Sequence, residues 1–68
     1  MHIDRALQLK CGDMVSCPAD RGSAAFYGRV ISAGVDVAKD LKGADYIWVT
    51  VRGPLTESVW PSNRLGKL

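Results

Sequence analysis

Tyr46-Ile47-Trp48-Val49-Thr50-Val51-Arg52 alternates aliphatic side chains with polar or aromatic ones at every step. Successive side chains of a strand point to opposite faces, so Ile47, Val49 and Val51 share one face while Tyr46, Trp48, Thr50 and Arg52 share the other. All three aliphatic residues are β-branched and suit a pleated surface, which makes theirs the core face. The stretch is the clearest strand in the chain, and the rest of the sequence must supply its neighbours.

Downstream, Gly53-Pro54 makes a turn, residues 56–60 a short strand, Pro61-Ser62-Asn63 a tight turn or one 3₁₀ turn, and residues 64–68 a terminal strand. Upstream, residues 25–33 form a long strand whose interior Gly28 predicts a bulge or bend. Met14-Val15-Ser16-Cys17 is a further strand ended by Pro18, and residues 19–24 are a loop. Residues 36–43 read as a helix of at most two turns, with Asp36 as cap, Lys39 and Lys42 toward the negative end of the dipole, and Gly43 as a left-handed stop. Residues 3–11 fit either one helical turn or a strand lead-in. Asp13, following Gly12, is expected to bond backbone amides in a tight turn.

The chain has 68 residues, and its Val, Leu, Ile, Met, Phe, Trp and Tyr side chains are enough for one small core only. That excludes a multidomain enzyme, a doubly wound dinucleotide-binding fold and a P-loop domain, each of which needs a much longer chain. No run of apolar residues approaches the roughly 20 needed for a membrane span, and Asp4 stands where a signal peptide would be basic. A cytoplasmic protein without a membrane partner is expected. Cys11 and Cys17 are too few for a disulfide scaffold, and a lone His2 cannot complete a zinc site. Both thiols are expected to be reduced.

Several short strands with glycine bends favour a closed sheet, since closure removes edges that so small a sheet cannot otherwise protect. The expectation is an all-β single domain: a small five-stranded barrel over residues 9–68, one short helical turn at 36–43, and residues 1–8 as a lead-in with room to be mobile. Gly12-Asp13-Met14-Val15, Tyr27-Gly28-Arg29-Val30 and Val59-Trp60-Pro61-Ser62-Asn63-Arg64-Leu65 together resemble the signature positions of Src-homology-3-like barrels, a group that includes Tudor and KOW modules. The resemblance covers most of the chain from Leu9 onward and implies the fold, not one function.

Within that group the Pro61-Ser62-Asn63 element is similar to the groove turn of polyproline-binding domains, which would implicate Pro61 and Asn63. Arg64, however, stands where those domains carry a groove tyrosine, so polyproline binding is disfavoured. A second similarity is to the type II plasmid dihydrofolate reductases, through Gly12-Asp13-x-Val15, Gly28-x-Val30 and Ser58-Val59-Trp60-Pro61. Their pore motif Val-Gln-Ile-Tyr would fall on Glu57-Ser58-Val59-Trp60, where a serine replaces the ligand-contacting glutamine. The similarity supports the fold and speaks against that activity.

Net charge is +2, and the surplus is placed unevenly. Residues 1–51 carry equal numbers of acids and bases, whereas Arg52, Arg64 and Lys67 face only Glu57 beyond them. Tyr46, Trp48 and Arg52 share one strand face, and Tyr27 and Arg29 can join them from a neighbouring strand. Flat rings stack on bases and guanidiniums pair with phosphates, so this set has the chemistry of a nucleic-acid surface. The plainer alternative is that Trp48 covers the barrel's open end or the N-terminal segment. With one histidine there is no Ser-His-Asp or Cys-His arrangement, and no phosphate loop or metal-spaced cluster exists.

The sequence thus reads as a non-enzymatic binding module without cofactor or metal, with nucleic acid as the partner its residues suit. Its candidate binding residues are Tyr27, Arg29, Tyr46, Trp48, Arg52, Trp60 and Arg64. The alternatives are a protein-interaction or self-assembling module that buries the same aromatics, and an oligomeric enzyme with a shared pore.

Overall fold

Ile47, Val49 and Val51 are wholly inaccessible to solvent in the computed structural model, which describes residues 1–20, 22 and 24–67, with the Lys67 side chain excepted. Part of the expected 19–24 loop, at Arg21 and Ser23, lies outside the described residues, as does Leu68 at the end of the expected terminal strand. The elements run α1 (Ile3–Ala6), β1 (Met14–Cys17), β2 (Phe26–Ala33), β3 (Ala38–Lys39), β4 (Asp45–Tyr46), β5 (Trp48–Arg52), β6 (Glu57–Pro61), a 3₁₀ turn (Ser62–Arg64) and β7 (Gly66–Lys67). The domain is all-β.

Five strands form one antiparallel sheet in the order β6-β5-β2-β1-β7, and β3 pairs with β4 in a separate two-stranded ribbon. Where a closed five-stranded barrel was expected, the large sheet is open, with β6 and β7 at its edges. Val15 and Cys17 from β1, Val30 from β2, Val49 and Val51 from β5, Trp60 from β6, and Leu65 meet Ile47 and Ala6 in one core. Each buried aliphatic side chain of this kind contributes on the order of 2 kcal/mol. Cys17 belongs to that core, where burial pushes its thiol pKa up and keeps it protonated, while Cys11 is exposed and the two are not bonded.

Three further expectations are corrected. The bulge in β2 falls between Val30 and Ser32, not at Gly28, which stays in register opposite Val15. Glycine is needed at 28 because a Cβ there would run into Cγ1 of Val51 and lie 3.3 Å from the Arg52 carbonyl oxygen. Residues 36–43 are not helical. Ala38 pairs with Tyr46 and Lys39 with Asp45, and the Lys39 ammonium lies 2.7 Å from the Asp45 carboxylate. So short a helix has few bonds to repay its nucleation, and Asp40 offers the backbone an alternative. The terminal strand is also shorter than expected, because Arg64 ends the 3₁₀ turn and only Gly66–Lys67 pairs with β1.

Asp40 organises the ribbon's turn. Its Oδ1 accepts the amide protons of Lys42 (2.8 Å) and Ala44 (2.9 Å), its Oδ2 accepts from the Asn63 side-chain amide at 2.9 Å, and Gly43 adopts φ +82°. The left-handed Gly43 expected as a helix stop therefore appears in a hairpin turn instead. The Ala44 amide, with further help from Lys42 and Gly43, holds the Asp40 carboxyl below its ordinary value of 3.8. A carboxyl with a depressed folded-state pKa stabilises the fold fully above its unfolded value, and that contribution disappears as pH falls through the folded value. Acid titration of the unfolding midpoint should accordingly show a loss below pH 3.8 that is shallower in Asp40→Asn. Equal acid limbs in the two proteins would exclude this role.

The amino-terminal segment packs onto the core. His2 Nδ1 accepts the Asp4 amide proton at 3.2 Å as a cap, Ala6 is fully buried, and the amino group of Met1 donates to the Leu65 carbonyl oxygen at 2.7 Å. Of the two forms open for residues 3–11, the helical turn is the one adopted. Gly12, at φ +98°, and Asp13 join this segment to β1 as anticipated, with Asp13 Oδ2 accepting the Lys10 amide proton at 2.9 Å.

Candidate nucleic-acid interface

Inward placement of Gly28 and Val30 on β2, and of Val49 and Val51 on β5, sends Tyr27, Arg29, Trp48 and Arg52 outward by the period of two. Strand register then decides which of them meet. Arg29 lies opposite Met14 on one side and opposite Arg52 on the other, and Arg52 lies opposite Glu57, so one row crosses four strands as Met14, Arg29, Arg52 and Glu57.

Two guanidiniums directly across a ladder repel each other. Glu57 relieves this on one side only, with its Oε2 2.9 Å from Nη2 of Arg52 in an exposed pair of the kind worth about 0 to 1 kcal/mol. Among the described residues no ion-pair partner stands beside Arg29. Tyr27, 68% exposed, flanks the pair two residues along β2. Around these groups runs a shallow depression of about 530 Å³ lined by Met14, Phe26, Tyr27, Arg29, Arg52, Gly53 and Pro54. It is a concave place with a phenol ring and two cations, suited to an anion carrying a flat group.

Trp48 lies farther along the same face. The residue is 51% exposed, and its ring meets Tyr46 edge-on, with centroids 5.4 Å apart and planes at 88°. Tyr46 is half-buried on β4 and braces the indole, leaving much of the tryptophan open to solvent. Trp48 therefore does not serve as a buried lid. Thr50 separates it from Arg52, and Val59, 58% exposed, is Thr50's partner on β6.

Trp60 and Arg64 lie apart from this face. Trp60 points inward and is 8% exposed, its indole N–H donating to the Ser58 hydroxyl at 2.8 Å and its ring meeting Phe26 edge-on at 6.3 Å. The Arg64 guanidinium lies 5.6 Å from the centre of the same ring. Trp60 contributes to a second depression of about 580 Å³, which shares Phe26, Gly53 and Pro54 with the first. Of the seven residues expected at the site, Tyr27, Arg29 and Arg52 converge, Trp48 braced by Tyr46 extends the same face, and Trp60 with Arg64 forms a separate cluster. The Asn63 side-chain amide donates to Asp40 Oδ2.

Met14, Phe26 and Pro54 line the first depression without having been singled out in the sequence. Their sequence signal is slight, because Met14 reaches Arg29 only through the β1–β2 register. Among the described residues no group of His, Cys, Asp and Glu is arranged to hold a metal, and no helix is long and apolar enough to cross a membrane. The chain matches no protein-family model, no curated protein and no solved structure.

Proposed function

We propose that the chain is a small non-enzymatic module that binds nucleic acid through its outer sheet face, on a scaffold of the Src-homology-3-like kind. The observation that carries this reading is Arg29 held opposite Arg52, with Glu57 paired to Arg52 and an exposed tyrosine beside them. A phosphate accepted by both guanidiniums relieves their repulsion and gains charge-assisted hydrogen bonds, while Tyr27 and Trp48 offer rings for bases to stack on. The strand order β6-β5-β2-β1-β7 and the 3₁₀ turn before a short last strand support the scaffold reading.

The test is fluorescence anisotropy of labelled nucleic acids at two salt concentrations. Arg29→Ala and Arg52→Ala should each weaken binding and reduce the slope of log affinity against log salt by about one, since each removes a phosphate contact. An unaltered slope in both variants refutes the assignment. Met14, Trp48 and Val59, exposed by 40%, 51% and 58%, favour a second reading, in which this face binds a protein or another copy of the chain. That reading predicts light scattering that rises with concentration and a blue shift of tryptophan emission, without dependence on added nucleic acid.

A further inference from the structure

We infer that the ligand of this face is single-stranded, laid along β5 and β2 from Trp48 to Tyr27 with its phosphates over Arg29 and Arg52; the inference rests on the nucleic-acid reading above. Trp48 and Arg52 are four residues apart on β5, and Tyr27 lies two residues beyond Arg29, the cross-strand partner of Arg52. At about 3.4 Å per residue the backbone positions of Trp48 and Tyr27 are separated by about 20 Å along the strands, with those of the two arginines between them. That length holds about six nucleotides at the stacked spacing of roughly 3.4 Å, and about three if the strand is stretched to twice that.

Ring, cation pair and ring in one line match the alternation of bases and phosphates along an unpaired strand. A duplex keeps its base faces inside its own stack and offers exposed rings nothing to pair with. Duplex reading also needs an element that enters a groove, a helix or a two-stranded ribbon. The only α-helix among the described residues has four residues and packs Ala6 into the core. The ribbon β3–β4 is the wrong sign: residues 36–45 carry Asp36, Asp40 and Asp45 against Lys39 and Lys42, and Lys39 is already paired with Asp45. A phosphate backbone pressed against that ribbon meets net negative charge. Charge complementarity therefore confines the ligand to the sheet face, where only an open strand can use both rings.

The experiment measures anisotropy of labelled oligothymidine and oligouridine of roughly three, six and twelve nucleotides, and of a twelve-base-pair duplex, against the full chain at about 50 and about 200 mM salt. Single strands of six nucleotides should bind more tightly than those of three and more tightly than the duplex. Trp48→Ala and Tyr27→Ala should each lower single-strand affinity about tenfold without changing the salt slope, and Trp48→Phe should restore most of it. Both residues are more than half exposed, and thermal melts of the variants check that the fold is retained. Equal binding of duplex and single strand, with both aromatic variants neutral, overturns the single-strand inference and leaves the arginine contacts standing. Absence of salt-dependent binding to any of these probes at the lower salt overturns the inference together with the nucleic-acid reading beneath it.

Discussion

Gly28→Ala is expected to lower the free energy of unfolding by about 3 kcal/mol, at the upper end of what overpacking a well-filled core costs. The new methyl group would land in Cγ1 of Val51, with the Arg52 carbonyl oxygen and a ring carbon of Phe26 each 3.3 Å away. Val51 is completely buried and branched at Cβ, so its side chain has few rotamers to retreat into. Moving the backbone instead would pull β2 from β5, the pairing that aligns Arg29 with Arg52. In a domain whose total stability is on the order of 3 to 10 kcal/mol, a loss of 3 corresponds to a melting point lower by about 15 °C. Urea titration measures the loss directly. A change under about 0.5 kcal/mol would show that Val51 can yield and that the close approach is not demanding. Val51→Ala in the Gly28→Ala background should recover part of the loss, because it opens the space the methyl group needs.

The second large effect is expected at Ser62, the buried polar residue at the corner between β6 and the 3₁₀ turn. Its hydroxyl accepts the Ile47 amide proton at 3.0 Å, and its own amide donates to the Ile47 carbonyl oxygen at 2.8 Å, so both backbone groups of Ile47 are satisfied by one residue. Alanine keeps the second bond and removes the first. The Ile47 N–H is then buried without an acceptor, which costs about 2 kcal/mol. Hydrogen exchange should locate the damage: the Ile47 amide in Ser62→Ala should lose far more protection than global destabilisation explains, with Val15 or Val30 as comparison. Protection at Ile47 equal to that of the parent protein would mean that another acceptor takes over.

These two positions show where sequence reasoning reached and where it stopped. The core face of β5 is legible because a period of two with β-branched residues has one physical solution in a half-buried strand. The Asp13 turn and the presence of a turn after Pro61 are legible for a similar reason, since short-range turn chemistry acts within a few residues, whereas the choice of a 3₁₀ turn and its extension to Arg64 are not. The ribbon at 36–46 is not, because Asp36, Asp40, Lys39 and Lys42 satisfy the pattern of a short helix as well as that of a hairpin. What decides is the pairing of Ala38 with Tyr46, a contact no local pattern encodes. Gly28 invites a bulge by its composition, while the reason for a glycine there is the side chain of Val51, far along the chain.

The candidate site divides along the same line. The sequence placed tyrosine, tryptophan and arginine on strand faces opposite aliphatic ones, without saying which of the rings stay exposed. By itself the sequence determined an all-β chain with one small core and the two faces of β5, Ile47, Val49 and Val51 inward and Trp48 and Arg52 opposite, because side-chain alternation follows from backbone geometry within a single strand; which face of β2 turns inward waited on where its bulge falls. Tertiary structure alone decided that Arg29 stands opposite Arg52, that Trp48 remains open beside Tyr46, and that Trp60 turns inward against Phe26. Those outcomes depend on register between strands distant in sequence, and register is set by the closest packing of whole faces around the core.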